Sequence, residues 1–495
     1  MDRTLRRALL ALLLLAVLCG PARPAAAHGL LGHVHVTGWA IENLPPGELR
    51  AIFEDADVFQ AALSGAMFPD TGYALDNPGA RDYGEYAHWE PFIESFIQHI
   101  RNTYGPTYET KEEKLLIAFL LGCASHGLQD ELFDSTFLHE IEQRDGGGQD
   151  VSDPGTDGFL VLDDHFRLLP GDYFPIDEML PLFDVLQRPV IDHDLIEEQI
   201  RIVRSVYVND TVGLSVAANY GRRARTLIPW AAENYLDPSV AGSLRAEIEP
   251  TARHMEALWE RLHGRFDEAN LIVHAWPEAP RRLREANHQS VASWVTLVFG
   301  KGVEEHSATA SLIDVDGMPH PFNLRYTRWG GTSRLVRFQA TADYAPGASY
   351  TAILQPGARL VDGSLTIHSH QHHFQVECSE ANDPECPPVV VDDDPRTDLG
   401  PPRNTATPTS TRTPRPATAT PTAPPATATP TSEPVCDGDC NGDDDVTVEE
   451  LLTCLNITLG NLALTSCRFC DSNDDGVVTV DEILTQINRI LTGCL

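Results

Sequence analysis

Three polar side chains recur at four-residue intervals in a largely apolar stretch of the chain. His126, Asp130 and Asp134 have this spacing, and a helix with about 3.6 residues per turn places them on one face. Burying an imidazole and two carboxylates on an apolar helix is costly unless a positive ion lies between them. The spacing therefore indicates either a metal site on a buried helix or a polar stripe that faces water.

Further nitrogen and oxygen donors occur before and after this stretch, in HGLLGH, FPD, HWEPF and DPGTD. Zinc accepts histidine nitrogen and carboxylate oxygen, and bridging carboxylates allow several ions to lie close together. Asp153 and Asp157 would align on a helix, but Pro154 and Gly155 between them favour a loop. The candidate ligands are His28, His33, Asp70, His88, His126, Asp130, Asp134, Asp153 and Asp157.

The elements that must position these side chains are helices. Strand-like alternation is scarce in this part of the chain, and clusters of proline and glycine separate the periodic segments. Residues 28–278 are therefore predicted to form an all-α domain of the bundle type. Apolar residues recur with a helical period over 34–44, 49–63, 89–103, 109–142, 176–186, 195–208 and 240–266.

The beginning of the chain has the pattern of a secretory signal peptide. Arg3, Arg6 and Arg7 precede an apolar segment at 8–18, and small residues at 25–27 supply a cleavage site. Removal of residues 1–27 would make His28 the first residue of a secreted or cell-surface protein. Beyond this signal, the sequence predicts no transmembrane segment.

The length and net charge of the chain limit the classes of protein to which it can belong. A chain of 495 residues exceeds a single hydrophobic core, so several domains are expected. The formal net charge of -36 argues against nucleic-acid binding, which needs clustered lysine and arginine. Acidity of this size favours cation binding.

A change of period at about residue 290 marks a second kind of domain. Short alternating segments are separated by turn signals such as Asp316-Gly317. Residues 279–378 are predicted to form an antiparallel β-sandwich. The ending YTAILQPGARLVDGSL resembles bacterial immunoglobulin-like modules, which implies a role in spacing or surface attachment. Residues 379–434 are rich in threonine and proline and are predicted to be a disordered linker.

Two acidic loops near the C-terminus have the spacing of calcium-binding loops. DCNGDDDVTVEE and DSNDDGVVTVDE both place oxygen ligands as an EF-hand requires. The pair resembles a dockerin module, so residues 435–495 are predicted to be a small α domain with two calcium sites and a cohesin-like or cell-surface partner. The ligands would be Asp439, Asn441, Asp443, Asp445, Glu450, Asp471, Asn473, Asp475, Val477 and Glu482. Six cysteines in this segment predict up to three disulfides.

The helical region resembles a known family. HGLLGH, FPD, HWEPF and SHGLQD, in this order, resemble the zinc-dependent phospholipase C superfamily. The run EKLLIAFLLGCASH is especially similar to the catalytic domain of glycosylphosphatidylinositol-specific phospholipase D and its bacterial relatives. The resemblance covers residues 28–163 most clearly and weakens towards residue 275.

The resemblance implies a ligand set for up to three zinc ions. In that family the mature N-terminus ligates metal through its α-amine and backbone carbonyl, which here would be those of His28. His33, His88, His126 and Asp130 match side-chain ligands, and Asp70 matches an aspartate that bridges metal or acts as a general base.

The third metal site departs from the family pattern. The family usually has histidine where this chain has Asp134, and a His-x-x-x-Asp or Glu pair where it has Asp153 and Asp157. All three remain oxygen donors. An all-carboxylate site favours weaker zinc binding or another divalent ion.

The activity that the resemblance implies is metal-assisted hydrolysis of a phosphodiester, in a phospholipid or a glycosylphosphatidylinositol. Bound zinc would hold the phosphate oxygens and activate a water, with Asp70 or a metal-bound hydroxide as the base. Cleavage on the glycerol side and cleavage on the head-group side both remain open. A trinuclear-zinc nuclease and a non-catalytic secreted metal-binding or adhesion protein are the alternatives.

Overall fold

The computed structural model describes residues 29–378, apart from short gaps, together with scattered residues near the C-terminus. The gaps are 75–76, 164, 166–167, 189, 208–210, 279–281 and 327–330, and the C-terminal residues described are 438–440, 453–454, 457, 464–472, 478 and 486. The predicted signal peptide, His28 and the predicted linker at 379–434 lie outside the described residues. So do eight predicted calcium ligands, Asn441, Asp443, Asp445, Glu450, Asn473, Asp475, Val477 and Glu482.

The first part of the described chain is helical, as predicted, but the predicted all-α range 28–278 also contains the strand Ile272–Trp276. None of the described helices is both long enough and apolar enough to cross a membrane. Short 3-10 turns occur at Pro69–Tyr73 and Leu180–Leu186. The helices are α1 (Leu30–Asn43), α2 (Glu48–Ile52), α3 (Ala56–Met67), α4 (Pro78–Ala87), α5 (Glu90–Thr103), α6 (Lys111–Leu132), α7 (Leu138–Arg144), α8 (Gln149–Leu162), α9 (Ile176–Met179), α10 (His193–Tyr207), α11 (Thr211–Leu227), α12 (Pro229–Asn234) and α13 (Ile248–Leu262).

Helix α6 is the centre of this region and is buried on all sides. Thr110 caps it, because the Thr110 hydroxyl accepts from the Glu113 backbone N–H at 3.2 Å and Glu113 Oε2 accepts from the Thr110 N–H at 2.9 Å. Every residue from Leu116 to Leu132 is buried. His126 and Asp130 therefore do not form a polar stripe that faces water.

A close contact between α3 and α6 fixes the position of the central helix. A Cβ atom at Gly122 of α6 would lie only 2.0 Å from the Ala62 carbonyl oxygen of α3, so only glycine permits this approach. The same approach brings the Ala66 carbonyl to 2.7 Å from His126 Nδ1. Packing of the two backbones thus orients one candidate ligand.

The predicted helix at 109–142 is helical from Lys111 to Arg144, but it contains a π-helical turn. After α6 the chain makes a π-helical turn at Phe133–Phe137, and α7 follows. Such single turns are frequent at functional sites. The turn interrupts the four-residue repeat that would align Asp134 with Asp130 in a continuous α-helix.

The loop prediction for Asp153 and Asp157 was wrong, because both lie in α8 with Pro154 inside the helix. A Cβ atom at Gly158 would lie 2.4 Å from Gly221 Cα of α11, so the two helices are closely packed. Helices gain most of their stability from such packing, which here outweighs the hydrogen bond that proline cannot make.

The second part of the chain forms two antiparallel sheets, as predicted for a sheet-rich region. The four-stranded sheet has the order β1-β2-β5-β4 and the three-stranded sheet the order β3-β6-β7. Leu297 and Phe338 of the first sheet share one hydrophobic core with Leu312 and Phe374 of the second. The immunoglobulin-like assignment itself stays a prediction. The strands are β1 (Ile272–Trp276), β2 (Val295–Glu304), β3 (Ala310–Asp314), β4 (Phe322–Tyr326), β5 (Thr332–Ala340), β6 (Ser349–Leu354) and β7 (His370–Gln375).

The sheets pack directly on the helices, and both regions belong to one compact unit. Leu128 and Leu132 of α6 share an apolar cluster with Val298 of β2 and Leu335 of β5. The backbone N–H of Gly302 donates to Glu90 Oε1 at 3.2 Å. A domain that acted only as a spacer would not need to share buried contacts with the helices.

Near the C-terminus the described residues include two of the predicted disulfides. Cys440 bonds to Cys467, and Cys454 bonds to Cys470. These residues belong to a second compact unit. In the helical region Cys123 is a buried free thiol, as the apolar surroundings predict.

Candidate metal centre

Five predicted ligands converge in one buried cluster around α6. Helix α1 supplies one of them, the 3-10 turn at Pro69–Tyr73 another, the residue that ends α4 a third, and α6 the remaining two. Residues that are distant in the sequence thus meet at a single point. The five are His33, Asp70, His88, His126 and Asp130.

Asp130 is the central member of this cluster. Its Oδ1 lies 3.1 Å from His33 Nε2, and its Oδ2 lies 3.3 Å from His88 Nε2 and 3.5 Å from His126 Nε2. Asp70 Oδ1 lies 3.5 Å from His88 Nε2 and 3.7 Å from His126 Nε2. The two carboxylates therefore flank the Nε2 atoms of two imidazoles.

Backbone carbonyls determine which ring nitrogens of this pair face the cluster. The Nδ1 atoms of His88 and His126 lie 2.6 Å from the Gly84 carbonyl and 2.7 Å from the Ala66 carbonyl. A carbonyl only accepts, so both Nδ1 atoms carry protons and donate. The two Nε2 atoms lie 3.0 Å apart. Two lone pairs at this distance repel unless a cation, either a proton or a metal ion, lies between them.

The third imidazole is oriented by a side chain that sequence reasoning missed. His33 Nδ1 lies 3.0 Å from Gln129 Oε1, and Gln129 Nε2 donates to the Thr37 hydroxyl at 3.2 Å. Hydrogen bonds of this kind hold ligating histidines in one orientation. The position of Gln129 in SHGLQD, directly before Asp130, is the signal that could have revealed it.

Electrostatics within the cluster suit a bound cation. Burial alone would lower the pKa of His88, but the carboxylates of Asp70 and Asp130 raise it to about 9. Burial opposes ionisation of Asp130, yet His126 and His33 hold the pKa of its carboxyl well below the ordinary value. The site thus keeps an anionic carboxylate and attracts positive charge, which a metal ion can supply in place of protons.

The donor set fits zinc. His33, His126 and Asp130 each offer a ligand atom within 4.8 Å of the others, and so do Asp70, His88 and His126. Imidazole nitrogen and carboxylate oxygen are ordinary zinc ligands. These clusters are compatible with zinc binding.

The three predicted ligands of the third site have separate surroundings. Asp134 accepts from Gln149 Nε2 at 3.3 Å. Burial raises the pKa of Asp134 and of Asp153 well above the ordinary value, and the charge of Asp130 adds to this in both. Asp153 is buried, and its Oδ2 has no hydrogen-bond partner among the described residues. The buried carboxylates therefore need a cation or protons.

Asp157 has a different environment from its two companions. Its Oδ2 accepts from the Leu31 N–H at 3.1 Å and its Oδ1 from the Gly32 N–H at 2.9 Å. These are unsatisfied donors at the start of α1, so the carboxylate of α8 caps that helix. Burial nevertheless raises the pKa of Asp157 to about 7. Its hydrogen bonds join α8 to α1 beside His33.

Glu247 is a buried carboxylate at this site that the sequence did not indicate. It precedes the first residue of α13 and is 0% exposed. Burial, followed by the charges of Asp130 and Asp134, raises its pKa well above the ordinary value. Because it lies far along the chain in a segment with no motif, only the fold brings it here.

A comparison with known families identifies the class to which this site is related. Residues 32–146 match the sequence model of the family described as zinc dependent phospholipase C. The matched range contains the five clustered side chains and the π-helical turn. The predicted resemblance to the zinc-dependent phospholipase C superfamily is thereby confirmed.

Among individual relatives, the chain is similar to phosphatidylinositol-glycan-specific phospholipase D. The Mus musculus protein is 31% identical over 200 residues, and the Homo sapiens protein is 30% identical over 204 residues. The alignments cover 37% of this chain and 23% and 24% of those relatives. The chain thus spans about a quarter of the length of the relatives it matches.

Solved structures offer only distant likenesses. CopC from Methylosinus trichosporium OB3b is 23% identical and covers 22% of this chain and 95% of its own, with a TM-score of 0.18. The S-layer protein rSbsC is 10% identical and covers 65% of this chain and 45% of its own, with a TM-score of 0.17.

Proposed function

We propose that this protein is a metal-dependent phosphodiester hydrolase that acts on phospholipid or glycosylphosphatidylinositol-type substrates. The observation that carries the proposal is the buried approach of the His88 and His126 Nε2 atoms at 3.0 Å, between the carboxylates of Asp70 and Asp130. The similarity to phosphatidylinositol-glycan-specific phospholipase D supports the substrate class. Secretion follows from the proposed signal peptide at 1–27.

The proposed ligands are the five clustered side chains together with the amine and carbonyl of His28. Zinc bound there would polarise a phosphate oxygen and acidify a bound water. Asp130 holds the three histidines around one point and supplies the negative charge that retains a cation. Among the five, Asp70 has the most accessible side chain, at 13% exposed against 4% for Asp130. Asp70 is therefore placed to take a proton from a water at the edge of the cluster.

We assign the third site to oxygen donors alone. Asp134 and Asp153 replace the histidines of the family, and the charges of Asp130 and Asp134 act on the buried carboxylate of Glu247. Hard cations such as magnesium, calcium or manganese prefer oxygen ligands, whereas zinc gains from histidine nitrogen. Asp157 contributes to the site by capping the start of α1, the helix that carries His33.

Metal analysis joined to substrate assays tests the proposed function. We expect purified, signal-processed protein to retain zinc, to lose phosphodiesterase activity with a strong chelator, and to regain it when zinc is returned. The substrates are phosphatidylcholine, phosphatidylinositol, a glycosylphosphatidylinositol-anchored protein and single-stranded DNA. Protein without zinc, or cleavage that survives metal removal, would contradict the proposal. Rapid cleavage of DNA without cleavage of lipid would favour the nuclease alternative.

The composition of the third site leads to a separate prediction. Replacing Asp134 and Asp153 together with histidine should raise the zinc retained after dialysis by about one ion per chain, because nitrogen ligands strengthen zinc binding. Metal content by inductively coupled plasma mass spectrometry checks this. Wild-type protein dialysed against manganese serves as the matched control and should retain manganese in that site. Three tightly held zinc ions in the wild type would contradict the all-oxygen assignment.

The C-terminal module is proposed to bind calcium independently of the zinc cluster. Calorimetric titration of the full chain, with its third site filled beforehand by manganese, should show about two calcium ions bound. Glu450→Ala and Glu482→Ala should each remove one of them, because the last loop position supplies a bidentate ligand. Glu433→Ala, just before the module, is the control. A titration without binding heat or conformational change would exclude the calcium sites, and with them a calcium-dependent cohesin-like partner.

A further inference from the structure

An arginine of the sheet region is buried inside the helical region, directly behind the metal cluster. Arg334 of β5 is 0% exposed. Its Nε donates to Glu131 Oε1 at 2.8 Å, and its backbone N–H donates to Glu131 Oε2 at 2.9 Å. Both oxygens of the carboxylate that follows Asp130 on α6 are thus held by one residue of the sheet.

The guanidinium also holds the backbone of the candidate ligands themselves. Arg334 Nη2 donates to the carbonyl of His88 at 2.8 Å, and Nη1 donates to the carbonyl of Ala124 at 3.1 Å. His88 ends α4, so its carbonyl is one that the helix leaves available. One planar fork therefore joins the end of α4 to the turn of α6 that carries His126 and Asp130.

The space for this junction exists because of a missing side chain. A Cβ atom at Gly127 would lie 1.9 Å from the His88 carbonyl oxygen and 2.6 Å from Arg334 Nη2. Glycine at this position of SHGLQD lets α6, the end of α4 and β5 meet without an intervening group. The junction is therefore built into the same segment that carries the ligands.

A second arginine of the same strand reaches the turn that carries Asp134. Arg337 Nη1 donates to the carbonyl of Ser135, and its guanidinium lies 4.8 Å from the centre of the Trp294 ring. The side chain is buried. β5 thus contacts the backbone at two places that flank Asp130 in the sequence. Arg334 donates to the carbonyl of Ala124, and Arg337 donates to the carbonyl of Ser135.

We infer that Arg334 is a positioning residue for the metal centre, so that the sheet region determines the geometry in which His88, His126 and Asp130 receive a metal ion. The inference rests on the proposed metal-dependent function. A buried guanidinium paired with a buried carboxylate holds its neighbours rigidly, because any displacement leaves a charge unpaired in the interior. The sheet region then acts as part of the enzyme's scaffold for the ions rather than as a spacer.

Arg261 provides a matched control, because it is another buried arginine that joins the helical region to the sheet region. Arg261 of α13 pairs with Glu90 Oε1 at 2.7 Å and with Glu94 Oε2 at 2.6 Å, and it donates to the Gly300 carbonyl at 3.2 Å. These partners include no proposed ligand. Arg261→Met should therefore lower the melting temperature while leaving metal affinity within about twofold of wild type.

The test measures metal binding on the full chain rather than activity alone. The variants are Arg334→Met, Arg334→Lys and the double variant Arg334→Met with Glu131→Gln, which removes the buried charge on both sides. Zinc affinity is measured by competition with a chromophoric chelator, and ligand geometry by the visible spectrum of the cobalt-substituted protein. Circular dichroism and melting temperature establish that each variant is folded.

We expect Arg334→Met and the double variant to bind zinc about 10- to 100-fold more weakly and to show an altered cobalt spectrum. Arg334→Lys should recover part of the affinity, because it keeps the charge but not the fork. If Arg334→Met does not fold, the double variant, which lacks both buried charges, provides the test. A folded double variant with wild-type zinc affinity and spectrum overturns the inference, and so does an equal loss in Arg261→Met. Wild-type protein that binds no zinc overturns the proposed function instead.

Discussion

Replacing Asp130 with asparagine is expected to lower phosphodiesterase activity by roughly three orders of magnitude or more and to remove at least one zinc ion per chain. Asp130 lies 3.1 to 3.5 Å from the Nε2 atoms of all three clustered histidines. An amide keeps the shape of the side chain, but it loses the negative charge and cannot bridge two ions. Activity on the best substrate and metal content measured on the same sample check this.

The control for this variant lies beside the opposite end of the same helix. Asp57 is exposed and pairs with Lys111, the first residue of α6, at 2.6 Å. Asp57→Asn removes a carboxylate without touching the cluster, and exposed pairs contribute little to stability, so activity and metal content should be unchanged. Folded Asp130→Asn protein with wild-type activity would exclude the proposed centre.

The second large effect is the dependence of metal affinity on pH. In the ion-free protein the pKa of His88 is about 9, whereas the pKa of Asp130 is held well below its ordinary value. Below pH 9 a metal ion must displace the proton of His88, while Asp130 is already ionised and contributes no proton. Burial lowers the pKa of His33, but Asp130 and Asp70 raise it above the ordinary value, so a metal ion must displace a proton there as well. Zinc affinity should therefore weaken by at least about tenfold for each unit that the pH falls, or at least about 100-fold from pH 8 to pH 6.

Competition with a chelator of known proton affinity, at several pH values, measures this slope. Release of at least about one proton per zinc at pH 7, from calorimetry in buffers of different ionisation enthalpy, provides an independent reading. His139→Asn, which changes a histidine on the exposed part of α7, should leave the slope unaltered. Zinc affinity that is constant between pH 6 and pH 8 would show that His88 is not a ligand.

Much of the helical region could be predicted because its signals are local. The apolar period located α5, α10 and the start of α6 to within a few residues, since each buries an amphipathic or fully apolar face. The π-helical turn after α6 was not predicted, because such a turn leaves no mark in a hydrophobic pattern. Helix α8 was missed because Pro154 argues for a loop, and its close packing on α11 is not visible in the residues of α8.

The strands, like the helices, were predicted where the signal is local and were missed where it depends on distant residues. β2, β5 and β6 follow strong alternation of apolar and polar residues, which predicted them. β1 was not anticipated, because its five residues follow directly on the helical segment and are defined by pairing with β2. Arginine is ordinarily a surface residue, so the sequence does not mark Arg334 and Arg337 of β5 as buried. Only the packing of the sheets on α6 shows their contacts.

The sequence by itself determined the types of donor atom at this site and the part of the site that one helix can arrange. Histidine nitrogen and aspartate oxygen are donors that zinc accepts, and the spacing of His126 and Asp130 follows from the helical repeat alone. Tertiary structure decided which other donors join them, because convergence depends on contacts between backbones that no local pattern encodes. The tertiary structure exposes the buried Glu247 carboxylate to the charges of Asp130 and Asp134. It also lets Asp157 accept from the backbone at the start of α1 and lets Arg334 donate to the His88 carbonyl.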